Sequence, residues 1–591
     1  MAFSYSAVSV AARITVLASS FLVACASGPA YPPIEDKAQP SEPAPVSEFV
    51  TAHGSQLFVD GDEFSFRAVN FSNGYEEPGH DIAAGRHHTE ADFERVQRLG
   101  FNSIRFAFNG HWFERDRTGF FTWLDANIES ARAHDLRLIL DLHVPIGGYW
   151  LDPTSEELDF SLWTDPALKA RNIALWQAIA ERYRDEPVVA AYDLLNEPVT
   201  TDEDGSQWQL FAEQLTAAIR EVDPQHLIVV QRLYGLSGRY GTRGQSAQFV
   251  INDANVLYDS HIYDPTQHAQ AGVRWGAAKV ANIGLYPDEN ALIPTGVHEL
   301  DVEARIRSER VEAGTSEWRR YSSPWVEAKG RKLVAAAPQA AIEGALSGVV
   351  YFDDVRVFER DQAGVEREII SDPISKDTIA GWHDWQSKTA RSIITADRRS
   401  ASGSNDNASL ILQLRGTGLN TIAGWSNNDH WFRVTPGHSY RIEGAMRGED
   451  VRYISGASVA QAGFELNFFK PHHSSDVPVF HARNKEYITY TLEPLVAFGQ
   501  RHAVPVSVLE TGLATSAFGP SGSGGELWLK DLLSEIEAST SGYGLWNYHG
   551  EHAGIYITHH LSPVGQPNRA LIDTLLQAQT GRTLSASIAK E

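Results

Sequence analysis

The sequence predicts an α/β protein, a (β/α)8 TIM barrel with a β-sandwich inserted between its sixth and seventh strands, and three observations carry that prediction. Helical and extended apolar segments alternate from about Leu57 to Tyr263 and resume after Tyr487, as right-handed crossovers onto a parallel sheet require. Between Asn282 and Phe480 the helical period largely disappears and apolar residues alternate with polar ones, over a span far too long for a loop. The run from Val188 to Leu195 is almost wholly apolar and lies between Pro187 and Pro198, which reads as a strand buried on both faces.

With 591 residues the chain exceeds the size of one core. Its segments read as a lipoprotein signal over 1–25, a disordered Pro-rich linker over 26–50, the first part of the barrel over 51–281, the inserted sandwich over 282–480 and the second part of the barrel over 481–591. The formal charge of -25 argues against nucleic acid or an anionic membrane as a partner, since phosphate binding needs a basic field. The 15 Trp, 20 Tyr and 26 Phe supply flat rings with polar rims, which suit the faces of sugars.

At the N-terminus Arg13 precedes an apolar segment, Ile14 to Ala24, that is too short to span a bilayer and fits an export signal. It ends in Leu22-Val23-Ala24-Cys25, which resembles the lipobox of bacterial lipoproteins. The resemblance implies lipidation of Cys25 and an extracytoplasmic protein tethered to the cell envelope, at the outer membrane if the host has one, as Ala26 would fit. A soluble secretory signal is the other reading. Cys25 is the only cysteine, so no internal disulfide can form. Pro32-Pro33, Pro40, Pro43 and Pro45 make the following stretch an extended spacer.

Phe58-Val59, the turn at Asp60-Gly61-Asp62 and Phe64 to Val69 predict a hairpin leading into the first barrel strand, which ends at Asn70. Phe93, Val96 and Leu99 share a helix face, Gly100 stops that helix, and a strand follows from Phe101 to Phe106. Leu124, Ile128 and Ala131 mark a helix before the strand Leu136 to Leu142, and Asp165-Pro166 starts one that leads into the Val188 run. Trp208, Phe211, Leu215 and Ile219 precede the strand Leu227 to Gln231, and Val256 to Ser260 is the sixth strand. Beyond the insert come a helix from Tyr487 to Gln500, a strand from Val504 to Glu510, a helix from Leu527 to Ile536, a strand from Gly542 to Trp546 and a closing helix through Leu571 and Leu575. Eight strands result, the number a closed barrel needs.

Six of the eight predicted strands carry candidate site residues at or near their ends, where barrel enzymes place their catalytic groups. In order these are Arg105, His143, Asn196-Glu197, His261-Ile262-Tyr263, Glu510 and Trp546. This ordered set resembles glycoside hydrolase family 5, over about Leu57 to Gly581 apart from the insert. The resemblance implies a retaining hydrolase of β-linked glycans, with Glu197 as acid/base and Glu510 as nucleophile. It further implies that Arg105 holds Glu510 ionised, that Asn196 binds the 2-hydroxyl of the reacting sugar and that Tyr263 donates to Glu510. His143 and His261 would line the sugar subsite, and Trp546 would lie under a ring. Acetal cleavage by two carboxyls with retention requires them about 5 to 5.5 Å apart. Trp112, Tyr149 and Trp150 follow strands and would extend the groove; Glu551 is the less suitable alternative nucleophile, with no buried strand beneath it. Leu509-Glu510-Thr511-Gly512 departs from the family's usual Gly-Glu-Phe-Gly, which leaves the wall beside the nucleophile open to question.

In the insert, Val350 to Phe358 resembles the last strand of a jelly-roll carbohydrate-binding module, and Trp431 to Tyr440 an early strand pair of that fold. The order implies one circularly permuted sandwich, with two incomplete ones as the alternative, and either sugar binding or a structural role. The expected activity is that of an endoglucanase on β-1,4-glucan, acting without metal or organic cofactor and as a monomer. A β-mannanase or an exo-acting β-glycosidase is the alternative, and a non-catalytic surface glycan-binding lipoprotein the alternative of another class.

Overall fold

The computed structural model describes residues 48–73, 88–149, 159–240, 248–264, 286–294, 300–329, 333–372, 374, 382–386, 394–400, 408–415, 422–427, 430–455, 461–471, 480–519, 522–550, 553–557 and 565–580. Cys25, the linker through residue 47, Trp150 and Glu551 lie outside these residues.

Eight parallel strands close into a barrel: β1 (Phe66–Phe71), β2 (Ser103–Asn109), β3 (Arg137–Val144), β4 (Val189–Asp193), β5 (Leu227–Gln231), β6 (Val256–Asp259), β7 (Val506–Thr511) and β8 (Gly542–Leu545). Side chains alternate along each strand between the barrel interior and the surrounding helices. The outward set, including Phe106, Leu140, Tyr192, Val230 and Val508, packs with Trp176, Trp208 and Trp528 of the helices. The inward set changes character with height. Its lower layer is apolar, with Ala68, Ile139, Ala191, Val229, Leu257 and Leu509, whereas above it sit Asn70, Arg105, Asp141, Asp193, Gln231 and Asp259, each at most 1% exposed. Gly544 on β8 gives this upper layer room, because a Cβ there would lie 2.0 Å from the Leu509 carbonyl.

The end where the strands begin is stoppered. Three short antiparallel strands, Thr51–His53, Gln56–Val59 and Asp62–Phe64, present Leu57, Val59 and Phe64 to the lower apolar layer. The Ala52 amide donates to Asn255 Oδ1, just ahead of β6, at 2.7 Å.

The insert leaves the barrel after β6 and returns before β7 along an antiparallel stem, Asp288–Pro294 against Phe480–Arg483. Beyond it two antiparallel sheets share one core, in which Phe352, Leu412 and Met446 of one sheet meet Phe464, Trp425 and Ala340 of the other. This is a single sandwich. Its strands are longer than the alternation predicts, reaching Ala345–Arg360 and Ser439–Tyr453, because register shifts between Asp353 and Arg356 let the pair bend without parting. Trp431 to Tyr440 does not form a strand pair: Phe432–Arg433 joins one sheet and Ser439 onward the other. Pro436 lacks the N–H a ladder needs, and Gly437, at φ +83°, takes the corner between sheets.

Trp112 is a core residue rather than a groove residue. Its ring, 1% exposed, packs against Phe120 and Trp123 at centroid distances of 5.4 and 4.8 Å. Trp112→Ala should therefore cost about 3–5 kcal/mol in urea unfolding and leave KM unchanged in the folded protein. A several-fold KM change at unaltered stability would return Trp112 to the groove.

Candidate active site

The apolar run of β4 ends at Asp193, and Leu194 to Pro198 then leave the sheet. Glu197 takes φ +43°, a left-handed conformation that costs energy for a residue with a Cβ. Two neighbours hold it there: its N–H donates to Gln231 Oε1 at 2.8 Å, and the Tyr149 hydroxyl donates to its carbonyl at 2.7 Å and also to that of Asn196. Tyr149, 1% exposed, thus braces the turn and does not line a groove.

Seven of the eight residues expected at the site form one network. Glu510 accepts from Arg105 Nη1 at 2.9 Å and from the Tyr263 hydroxyl at 2.7 Å. His261 Nδ1 lies 3.0 Å from Glu197 Oε1 and 3.6 Å from Glu510 Oε1, so the imidazole bridges the two carboxylates. Facing oxygens of Glu197 and Glu510 lie within 4.8 Å of each other. Asn196 joins Arg105 to His143, with Oδ1 2.8 Å from Nη2 and Nδ2 3.2 Å from Nε2. Trp546, the eighth, flanks the network with its ring stacked on His143 at 5.5 Å. Thr511 donates to the Ile262 carbonyl at 2.5 Å, so the departure beside Glu510 ties β7 to the segment that follows β6.

Charge is distributed unevenly here. Burial acts to raise the Glu510 pKa, but His261, Arg105 and the Tyr263 hydroxyl outweigh it and hold the carboxyl below its usual range. Burial lowers the His143 pKa to about 3, so its ring is neutral. For His261 burial is overcome by Glu510, Asp259 and Glu197, which raise the pKa to about 10. Burial lifts Asp141 and Asp193 to about 7 against the pull of Arg105.

The folded pKa of His261 lies above its ordinary 6.5, so the stability it contributes is complete below pH 6.5 and is lost as pH rises through about 10. Thermal melts should fall across that window in the wild type, and His261→Gln should remove that part of the slope. An identical slope in the variant would mean that the ring is not the cation between the carboxylates.

Sequence reasoning missed Asn70, Asp141, Asp193, Gln231 and Asp259. A signal existed, because Asp141 stands two residues before His143 and Asp259 two before His261, on the same strand faces. A charged residue in an apolar strand, in phase with a site residue, needs a buried partner.

A parallel barrel that holds an ionised carboxylate and a second carboxyl across so short a gap has the arrangement of a two-carboxylate glycoside hydrolase. Residues 59–322 match the family model described as Cellulase (glycosyl hydrolase family 5). Among similar proteins, Endoglucanase C of Acetivibrio thermocellus is 26% identical over 200 residues, covering 33% of this chain and 55% of its own. Mannan endo-1,4-beta-mannosidase 2 of Oryza sativa subsp. japonica is 28% identical over 275 residues, covering 41% and 58%. A beta-xylosidase of Phanerodontia chrysosporium is 34% identical over 184 residues, covering 29% and 38%. The chain spans about half the length of the first of these relatives, 55%.

Proposed function

We propose that the protein is a retaining glycoside hydrolase acting on a β-linked glycan, with β-1,4-glucan as the first substrate and β-mannan as the second. The observation that carries this is the separation of Glu197 and Glu510, whose facing oxygens lie within 4.8 Å. Retention needs carboxyls about 5 to 5.5 Å apart, whereas inversion needs about 6.5 to 9.5 Å to admit a water. The endoglucanase and mannosidase relatives support the order of substrates.

In this mechanism Glu510 attacks the anomeric carbon while Glu197 protonates the departing oxygen, giving a glycosyl ester and the freed chain end. Water then attacks the anomeric carbon, its bond to the Glu510 oxygen breaks, Glu197 takes the water's proton, and Glu510 is released as carboxylate. His261, with Asp259 3.4 Å behind its Nε2, shares the proton that Glu197 delivers. Asn196 contacts the 2-hydroxyl, where the bond strengthens as positive charge grows on the sugar, and Trp546 lies beneath a ring.

The inserted sandwich supports a further part of the proposal, a jelly-roll module beside the cleft that holds glycan near the mouth. What supports this is a contact of the helix Lys485–His502, which follows the stem: its Tyr487 hydroxyl donates at 3.2 Å to Asp264, next to Tyr263. Acylation at Cys25 would keep the enzyme on the cell envelope as a monomer, with the linker as spacer. Hydrolysis of a panel of soluble β-glycans, with the anomeric form of the first product read by NMR, tests the central claim. Inverted product, or binding without cleavage, would overturn it.

A further inference from the structure

The guanidinium of Arg105 has donors and no acceptor, and this fixes the hydrogen positions in a closed circuit around it. Asn196 must turn Oδ1 toward Nη2, at 2.8 Å, because its amide nitrogen would set donor against donor. Its Nδ2 therefore faces His143 Nε2, at 3.2 Å, and donates to it. A ring nitrogen that accepts carries no proton, so the single proton of this neutral imidazole is on Nδ1. Nδ1 lies 2.7 Å from Asp141 Oδ2, and Asp141 Oδ1 faces Arg105 Nη2 at 2.9 Å, an ion pair without hydrogen-bond alignment, so the circuit is closed by charge at this link. Arg105 and Asp141 are 0% exposed, His143 2% and Asn196 1%, so water is not at hand to repair a mismatch. One N–H of the Asn196 amide takes no part in the circuit.

We propose that Asp141 is a positioning residue: it fixes the Nδ1–H tautomer of His143 and, through that ring, aims the Asn196 amide so that its remaining N–H serves the reacting sugar. The second half of this rests on the reading of Asn196 as a substrate contact; the first half does not. A purely structural Asp141 would neutralise Arg105 and do nothing to the ring.

Asp141→Asn separates the two. The substitution keeps the shape and leaves an oxygen for Arg105, but its new amide must donate to His143 Nδ1. The ring proton then moves to Nε2 and meets the Asn196 amide, donor against donor.

Long-range proton–nitrogen NMR of the histidine rings in the full chain reads the tautomer directly. The wild type should show His143 protonated at Nδ1, and Asp141→Asn should show it at Nε2. On soluble glycan, kcat of the variant should fall roughly 100-fold or more, as when a catalytic imidazole is left in its wrong tautomer, with KM changing less than about 3-fold.

Asp141→Asn combined with Asn196→Asp reverses both hydrogen bonds of the His143 ring, leaves Arg105 an oxygen to face on either side and preserves the charge, so thermal stability lost in the single variant should return. Activity should not, because the new carboxylate has no N–H to offer. A wild-type ring protonated at Nε2, or an Asp141→Asn variant with unchanged tautomer and kcat, would overturn the proposal. A wild type inactive on every glycan, with the NMR result intact, would instead defeat the hydrolase reading and the sugar contact with it, leaving Asp141 in charge of the tautomer alone.

Discussion

Glu510→Ala should reduce glycan hydrolysis by ~10⁴-fold or more, since removal of a nucleophile leaves only binding and electrostatics to act. Glu197→Ala should be as damaging on a natural glycan, but far less so on an aryl glycoside whose leaving group needs no proton. That asymmetry separates the two roles. The difference extends to rescue by azide. In Glu197→Ala the glycosyl ester still forms and azide attacks it from the face that water would use, giving a product with the starting β configuration. In Glu510→Ala azide takes the place of the missing carboxylate and gives the α product. Kinetics on glycan and aryl glycoside, with NMR of the azide products, check both. If Glu510→Ala retains wild-type activity, another group is the nucleophile; if the two azide products have swapped configurations, the assignments are reversed.

The second large effect is expected at Arg105, which is 0% exposed and pairs with Asp141, Asp193 and Glu510 at 2.9 Å each. Arg105→Met should cost about 3–5 kcal/mol, because breaking a buried pair leaves charge uncompensated, and here one cation serves three carboxylates. The loss should depend on pH. Burial already raises Asp141 and Asp193 from 3.8 to about 7 with the arginine present. The stability tied to such raised acids is complete below pH 3.8 and is lost as pH rises through their folded values. Removing Arg105 raises those values further, so wild type and variant should differ little near pH 4 and most at pH 8. Urea titrations at the two pH values measure this. An equal deficit at both would mean that Arg105 stabilises by packing and not by charge.

The barrel was legible because its strands are buried on both faces and its helices on one, so each leaves its own period in the sequence. The run from Val188 onward shows where that reading stops. Its apolar character says strand, yet β4 ends at Asp193, and Glu197 adopts a left-handed turn that Gln231 and Tyr149 hold in place. Nothing local announces Gln231, which lies 34 residues further on and acts through its side chain. Asp193 is a similar case: in sequence it is one polar residue in an apolar strand, and in space it accepts from Arg105 and Gln231 together. Residues at strand ends could be listed in order as candidates, but their hydrogen-bond directions follow only from knowing that all of them surround one guanidinium. The long sandwich strands were read as short because a bulge interrupts the alternation without ending the strand.

The stopper formed by residues 51–64 decides which way the molecule can be held. It fills the floor of the barrel, so a graft at the amino-terminal side emerges at the pole remote from Glu197 and Glu510. A resin bead or a lipid leaflet coupled there would have the opening that holds Glu197 and Glu510 turned outward, toward solution. Insoluble fibres could then reach that opening without the attachment standing between them.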